Sequence, residues 1–413
     1  MIVRRFNQWA KTATPIERAK GAGALAQAFL YADMDEGDRE EAEIVLTALA
    51  DDASPLVRRA LADNLASAAG APRAIIIALA NDQSEVAAPV LGHSPLLTDA
   101  DLIDCAAIGD AFAQSSIALR PIVSPAVAAA LAEVGGREAL ISLAVNEGAI
   151  IPEFSIRRMI ERWGSDAELR ESLLARGDLS PAARSDLVAA TAKALAGLVA
   201  GRGWMSAARM ERVVRQSCDK AHVIIAADAE DGGDWAGARA LAAHLRASGQ
   251  LTSSLMLRAV LSNNVCLFEA ALVELSGLPE RKALALARQR GGAGLAGLFR
   301  AAGLPMGLLP AFQAATGARE AAARTEDGSP RLSSLVIRRV LRACEALPSG
   351  ESEALLALLR RFEAEAARED ARRTAAAIGA PELRMLPAPE PAIFRPKRAI
   401  DIDLTLIEAE LAA

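Results

Sequence analysis

The pattern of apolar and polar residues along the chain predicts a series of short helices. After each polar turn, apolar residues recur at helical spacing, as Leu102, Ile103 and Ala106 do. Each turn ends in a dipeptide that suits a helix start, and the successive steps between these dipeptides are 27, 26, 27 and 29 residues. The dipeptides are Ala71-Pro72, Thr98-Asp99, Ser124-Pro125, Ile151-Pro152 and Ser180-Pro181. The pattern predicts a repeat of about 27 residues, a period that is typical of stacked repeat folds.

The chemistry of these dipeptides explains why helices begin there. A Ser or Thr side chain accepts hydrogen bonds from the first free backbone N–H groups, and Pro or Asp suits the first helical position. The start at Ile151 lacks such a cap. Because a unit of two short helices cannot bury its apolar face alone, neighbouring units must stack. We predict an all-α fold, an α-solenoid of short helix-turn-helix (HEAT-like) repeats with a helical C-terminal extension and a long concave surface.

Shifts in composition divide the chain into four predicted parts. An N-terminal helical repeat domain covers residues 1–200, and a second helical repeat half covers residues 201–320. The segment 319–331 carries charge, Gly and Pro without an apolar period, and we interpret it as a linker. Two C-terminal helices lie within residues 331–380, and residues 381–413 form a Pro-rich extended tail.

Composition favours helices over strands. Hydrophobic residues make up 52% of the 413 residues but aromatic residues only 3%, and Ala and Leu supply most of the apolar surface. These residues favour helices, and the small Ala side chain lets neighbouring helices approach closely. The chain exceeds the usual size of a single core, which a stack of repeats accommodates.

The net charge and the pattern of cysteines limit the kinds of partner and the cellular compartments that we expect. The net charge is −6, whereas nucleic-acid-binding proteins generally show a basic excess or a basic face. The cysteines lack metal-ligand or disulfide spacing, so we expect reduced thiols in helices. They are Cys105, Cys218, Cys266 and Cys344. No stretch has the roughly 18 uncharged apolar residues of a membrane span, and the N-terminal segment lacks an apolar signal core. We therefore expect a cytoplasmic protein.

Residues 52–58 (DASPLVR) resemble the turn and second helix of a HEAT repeat. In that family the turn Asp and the helix Arg pair between successive repeats, so the resemblance implies that Asp52 and Arg58 belong to a ladder of ion pairs. In the next copy Ala87 stands at the arginine position, which argues against a continuous ladder.

A second resemblance rests on the order of several segments. They are LANDQSEVAAPVLGHSPLLTDADLI, LAVNEGA, LLARGDLSP and the later LSNNVCLFEAALVELSGLPERKALALARQRGGAGLAGLFRAAGLP. In this order they resemble an uncharacterised bacterial family, domain of unknown function 2336, over roughly residues 20 to 320. The resemblance implies an α-helical repeat fold, typically in alphaproteobacteria, and no assigned activity.

The sequence contains no recognisable catalytic constellation. His93 lies in a repeat turn, and His222 and His244 lie in apolar helices, with no spacing that joins them to a nucleophile or a carboxylate. We interpret all three histidines as structural. We predict no catalytic residue and no enzyme activity.

Two further segments resemble ligand sites only loosely. A glycine-rich stretch lacks the preceding strand and the lysine of a phosphate loop; its glycines are Gly291, Gly292, Gly294 and Gly297. An acidic turn lacks the residue order of a calcium loop; its carboxylates are Asp228, Glu230, Asp231 and Asp234. We predict no cofactor and no metal.

Two arginine pairs are the candidate partner-binding residues: Arg58 with Arg59, and Arg157 with Arg158. They could line a groove for acidic residues or phosphate, although solvated helix faces and interhelix ion pairs are the ordinary alternative. Further basic residues are Arg338, Arg339, Arg342, Arg360 and Arg361. The interior tryptophans are predicted to pack in the core; they are Trp163, Trp204 and Trp235.

These features predict a non-enzymatic interaction module or scaffold that binds a protein or peptide on its concave face, without a membrane span. One alternative is a nucleic-acid-binding HEAT-like protein, which requires the four arginines to converge on a basic groove. Another is autoregulation by the tail, whose apolar and polar residues alternate and which could dock as a strand or peptide. The candidate docking residues are Phe394, Ile400, Ile402, Leu404 and Leu406.

Overall fold

The computed structural model describes residues 8–9, 12–230, 235–289, 292–322, 331–345 and 353–377, and in this part of the chain the regular structure is helical apart from one isolated bridge. The helices are α1 (Pro15–Tyr31), α2 (Glu36–Ala50), α3 (Pro55–Leu65), α4 (Arg73–Ala80), α5 (Ser84–His93), α6 (Asp99–Ile108), α7 (Ala111–Ala118), α8 (Pro125–Val134), α9 (Arg137–Val145), α10 (Glu153–Trp163), α11 (Ala167–Leu174), α12 (Pro181–Gly201), α13 (Ala207–Glu230), α14 (Trp235–Ala247), α15 (Ser253–Leu261), α16 (Val265–Ser276), α17 (Glu280–Ala287), α18 (Ala293–Ala301), α19 (Leu309–Ala322), α20 (Ser334–Glu345) and α21 (Glu353–Ala377). A short 3-10 helix, Met306–Leu308, precedes α19.

The helices begin where the turn dipeptides predict. Thr98 caps α6 and forms a reciprocal capping box with Asp101. Ser124 and Ser180 cap α8 and α12, each with proline at the first helical position. The start of α10 has no side-chain cap, in agreement with the missing Ser or Thr before Pro152.

The first twelve helices form two stacked layers. Layer A contains α1, α3, α5, α7, α9 and α11, each packed on the next. In layer B, α6, α8, α10 and α12 stack in the same way, and α2 stacks on α4. A continuous core from Ala22 to Leu187 lies between the layers. The predicted all-helical solenoid is confirmed.

Ion pairs join successive helix pairs at one edge of the stack. Arg18 binds Asp52 through two hydrogen bonds of 2.8 and 2.9 Å, and Arg58 binds both carboxylate oxygens of Asp82. Both aspartates lie in the turn of the following unit, so the inter-repeat pairing implied for Asp52 and Arg58 is present. The arginine is missing at Ala87, as the sequence indicates.

Other polar contacts join the units that follow. The Gln114 side chain accepts a hydrogen bond from the Gly136 backbone N–H at 3.0 Å. One unit later, Arg137 binds Asp166 at 2.8 Å and holds the pKa of that carboxyl below its usual range. Stacking is therefore specified by polar contacts as well as by the core.

Polar side chains also connect the turns at the opposite end of the units. One side chain from each of three successive turns donates to backbone carbonyl oxygens of the turn before it, which satisfies groups left free at helix C-termini. The pairs are Arg120 to Leu91 and Ser94, Asn146 to Ala118 and Arg120, and Arg176 to Ala144, Asn146 and Ala149. These three residues occupy equivalent places in the repeat.

Two of these turns also pair through their backbones. Val123 and Ala149 form a parallel bridge, in which the Val123 N–H donates to the Gly148 carbonyl and the Ile150 N–H donates to the Val123 carbonyl. A Cβ atom on Gly148 would lie 1.9 Å from the Pro121 carbonyl oxygen. Only glycine allows the two turns to approach this closely.

A second core, from Val223 to Ala366, contains buried residues of α13 to α16 and of every later helix. The C-terminal helices α20 and α21 belong to it, since Ile337 and Phe362 are both buried there. Arg258 of α15 binds Glu365 of α21 through two hydrogen bonds of 3.0 and 2.6 Å and lies over the Phe362 ring. The four-part division of the chain itself stays a prediction.

Replacing Gly148 with Ala should lower the free energy of unfolding by at least about 2 kcal/mol, because the added methyl group overlaps the Pro121 carbonyl oxygen and forces the turns apart. Urea unfolding followed by circular dichroism measures this change. Gly177→Ala is the matched control, since a Cβ at that turn position has open space around it. Equal stability of the two variants would contradict the close approach of the turns.

Candidate functional site

The distal parts of α12 and α13 lie largely outside the two cores, although the partly buried Ala190 packs against the first. The first core ends at Leu187 and the second begins at Val223, and no residue between 189 and 218 is buried. Apolar residues nevertheless lie on all sides of α12, a pattern typical of a helix that is covered all round. The two helices pack against each other, and the described part of the chain leaves their outer sides exposed. We name residues 189–218 the arm.

Large apolar side chains of the arm face solvent. Leu195, Leu198, Trp204 and Val213 have exposed fractions of 57, 55, 66 and 46%, and the Arg202 guanidinium lies 4.9 Å from the Trp204 ring centroid. Large apolar side chains that stay exposed on two helices packed against each other make the arm a candidate surface for a partner.

Two of the three tryptophan predictions hold, and the third is wrong. Trp163 and Trp235 are partly buried against the cores. Trp204 lies in the turn of the arm, where neither core reaches it. The sequence around it is glycine-rich and indicates a break between helices, but it does not show whether a core covers that break.

The arm is basic although the chain is acidic. It carries five cations, Lys193, Arg202, Arg209, Arg212 and Arg215, and one carboxylate, Glu211, which gives a net charge of +4 against −6 for the whole chain. Arg215 pairs with Glu211 at 2.7 Å within α13. The remaining charge forms a positive field around the exposed apolar side chains.

A cleft of about 310 Å³ opens at the base of the arm, between α12, α13 and the turn before α15. Lys193 and Arg215 lie at its exposed side, and the small Ala189 and Ala192 form one wall. Its remaining lining residues are Val214, Cys218, Asp219, His222, Gly249, Gln250 and Thr252. The cleft therefore leads from the positive arm to a buried polar cluster.

His222 is a buried polar residue in the lining of the cleft. It is 1% exposed, and its Nε2 shares a hydrogen bond of 3.0 Å with the Ser185 hydroxyl. Burial, with a smaller contribution from His244, lowers the pKa of His222 to about 4. The imidazole is therefore neutral at physiological pH.

Neighbouring groups complete the cluster. Nε2 of His244 lies 2.8 Å from Oδ1 of Asp186. Asp219 is 4% exposed and accepts a hydrogen bond of 3.0 Å from Ser254, and burial raises the pKa of Asp219 to about 6. The two histidines that no sequence spacing joins are thus brought together by the packing of α12, α13 and α14. Their interpretation as structural residues stays a prediction.

Arg58 and Arg59 are engaged within the chain. Arg58 binds Asp82, as described above. Arg59 binds Asp63 at 2.8 Å and donates to the Glu85 carbonyl oxygen. Both residues lie on α3, in layer A.

Arg157 and Arg158 lie on α10, in layer B. Arg157 is 3.7 Å from Glu153 and from Asp186, and Arg158 binds Glu133 at 2.9 Å. The structure thus places the two arginine pairs on different layers, with a carboxylate beside each side chain. Their role in binding a partner stays a prediction.

The other sequence candidates lie in varied surroundings. Gly292 has a left-handed φ of 76° and precedes α18. Asp228 of the acidic turn lies 3.4 Å from Arg184. Glu230 is the last residue of α13, whereas Asp231, Asp234 and the tail residues Phe394, Ile400, Ile402, Leu404 and Leu406 lie outside the described residues. The four cysteines are thiols, and burial raises the pKa of Cys105, Cys218 and Cys344.

A comparison with models of protein families finds one family that matches most of the chain. The model of a family described as an uncharacterised protein conserved in bacteria (DUF2336) matches residues 86–350. The chain belongs to this family. The match includes the arm and its cleft, but it leaves out the HEAT-like segment 52–58, which the sequence resemblance had included. Searches of the curated proteins and of the solved structures return no match. None of the helices in the part of the chain that the structure describes combines the length and the apolar composition of a membrane span.

His222→Gln should reduce the decrease in the free energy of unfolding that occurs as the pH falls from 7 towards 4. Because the pKa of His222 in the folded chain lies below the ordinary value of about 6.5, its contribution is fully present above pH 6.5 and is lost as the pH falls towards 4. Removing this titration should reduce the loss over that window by up to about 3 kcal/mol. Urea unfolding at pH 7 and at pH 4.5 measures it, with His93→Gln making the same change on an exposed side chain. An equal effect of both variants would refute the role of burial.

Asp219→Asn should change the pH dependence of stability in the opposite direction, with its effect at neutral pH. The pKa of Asp219 in the folded chain is raised from its ordinary value of 3.8 to about 6, so ionisation of this carboxyl costs stability as the pH rises from about 4 to 6. The amide cannot ionise but can still accept the Ser254 hydrogen bond. The variant should therefore be more stable than the parent at pH 7, with little difference at pH 4, when both are unfolded in urea. A less stable variant at pH 7 would contradict the assignment.

Proposed function

We propose that the chain is a non-enzymatic protein-interaction module that binds an acidic, amphipathic segment of another protein through the arm. The observation that carries the proposal is the combination of exposed apolar residues, a net charge of +4 and the absence of any buried residue between 189 and 218. An amphipathic helix with an apolar face and acidic flanks would cover the apolar side chains and neutralise the charge.

Charge also argues for a different protein over a second copy of the chain. Two arms brought together would each contribute a charge of +4, and like charges at an interface oppose association. An acidic partner gains from the same field. The cleft at the base of the arm could take a side chain from the end of the partner segment, since Lys193 and Arg215 flank its entrance.

We do not propose nucleic-acid binding through the candidate arginines. Arg58, Arg59, Arg157 and Arg158 lie on two layers and have carboxylate neighbours, whereas phosphate recognition depends on cations that converge on one surface. Docking on the face of the repeat array and autoregulation by the tail stay open as predictions. The four cysteines form no disulfide with one another, as is usual in a reducing compartment, and this supports the cytoplasm as the proposed compartment.

The proposal predicts that removing positive charge from the arm weakens partner capture. Full-length protein is used as bait in nuclease-treated extract of the source cell, and captured proteins are identified by mass spectrometry. The variant Arg209→Gln, Arg212→Gln, Arg215→Gln should reduce capture of the partner by at least about tenfold, as should Leu198→Ser with Trp204→Ser. A synthetic peptide of the partner's acidic segment should then bind with an affinity that falls as salt is raised.

The matched control makes the same change of charge elsewhere. Arg338→Gln, Arg339→Gln and Arg342→Gln replace three exposed arginines of α20 and should leave capture intact. A partner that both arginine variants retain would refute the role of the arm. Capture of nucleic acid alone, sedimentation with anionic vesicles without a protein partner, or self-association through the arm would each replace the proposal.

A further inference from the structure

A separate cavity of about 410 Å³ lies in the second half of the chain, far along the sequence from the arm. Val260 of α15, Phe268 of α16 and Leu295 of α18 are buried residues that form its apolar floor. Its polar residues come from three places, α16, the end of α17 and α19; they are Glu269, Arg288, Gln289, Gln313, Thr316 and Arg319. An apolar floor with a few polar groups is typical of a site for a small molecule.

The only carboxylate among these lining residues is already neutralised. Glu269 is 5% exposed, and its two oxygens accept hydrogen bonds of 2.7 and 2.6 Å from Nε and Nη2 of Arg288. A guanidinium has five N–H donors, so Arg288 retains donors on Nη1, and its side chain is 66% exposed. The pair therefore leaves hydrogen-bonding capacity for a ligand without a net negative charge.

Because Glu269 and Arg288 neutralise each other, the net positive charge of the cavity comes from Arg319. It is half-buried, yet its side chain has no ion pair or hydrogen bond to any residue that the structure describes. Among the described residues no carboxylate compensates this partly buried cation, and a bound anion would relieve the cost of removing it from water. Arg288 and Arg319 line the same cavity, so one anionic group can accept hydrogen bonds from both.

Gln313 and Gly292 form the wall of the cavity beside these arginines. Nε2 of Gln313 donates to the Gly292 carbonyl oxygen at 3.2 Å, and a Cβ on Gly292 would lie 2.5 Å from that nitrogen. Because Gly292 has no side chain, the amide of Gln313 can lie directly against its backbone. This contact gives the glycine-rich stretch a role other than that of a phosphate loop. With Nε2 engaged, the amide oxygen of Gln313 is available as an acceptor for a hydroxyl group or an amine.

We propose that this cavity binds a small organic anion, whose carboxylate or phosphate group lies between Arg288 and Arg319 and whose apolar body rests on Phe268 and Leu295. The volume exceeds that of a bare anion, and the apolar floor offers nothing to an inorganic ion. The proposal does not depend on the arm or on a protein partner.

Isothermal titration calorimetry on the full chain tests the site with four probes: phenyl phosphate, benzoate, inorganic phosphate and acetate. The organic anions should bind more tightly than their inorganic or aliphatic counterparts, and the difference between phenyl phosphate and benzoate identifies the preferred anionic group. Arg319→Gln should weaken binding by about tenfold or more, and Arg319→Lys should retain part of it. Arg300→Gln, an exposed arginine of α18 outside the cavity, should bind as the parent does.

For Glu269→Gln we expect tighter binding, a result that partial unfolding of the variant would not produce. It removes the carboxylate that occupies Arg288, so the affinity for the tightest probe should rise, whereas Arg319→Gln lowers it. Absence of binding for all four probes would overturn the proposal, as would equal binding by the parent and Arg319→Gln. Tighter binding of bare phosphate than of phenyl phosphate would refute the organic body, and weaker binding by Glu269→Gln would refute the role of Arg288.

Discussion

A pair of short helices cannot bury its apolar face without a neighbour, and this constraint shapes the whole first half of the chain. Stacking in two layers gives each pair its neighbours, but apolar contact alone does not fix how one pair sits on the next. Polar contacts at both ends of the units do so, through Arg58 and Asp82 at one edge and Arg176 at the other. At Gly148 the turns approach so closely that a single methyl group has no space.

The features that the sequence predicts well are those determined within a few residues. Helix starts at Thr98, Ser124 and Ser180 follow from the capping side chain and the residue after it, and the repeat follows from their spacing. The pairing of Asp52 and Arg58 with other units is also predictable, because the resemblance to a HEAT repeat supplies the register. These signals are local, or are local signals repeated at a fixed distance.

The candidate sites depend on contacts that the sequence does not specify. His222 and His244 approach each other through the packing of three helices, and the covered or exposed state of Trp204 depends on where the cores end. The carboxylates beside Arg157 and Arg158 lie on other helices, and no spacing in the sequence indicates that they come close. The sequence does carry one signal of the arm, because five cations and one carboxylate lie between residues 189 and 218 of an acidic chain.

The ion pair of Arg258 with Glu365 has a consequence for the order in which the chain can fold during synthesis. In the first core the joining contacts span about one repeat, 24 residues for Arg58 and Asp82, so each unit can settle as soon as its successor emerges from the ribosome. The contact between α15 and α21 spans 107 residues. Long separations slow folding because loop closure precedes any gain from the contact. The apolar surface of the second core that α21 covers therefore stays exposed until residues 353–377 have been made.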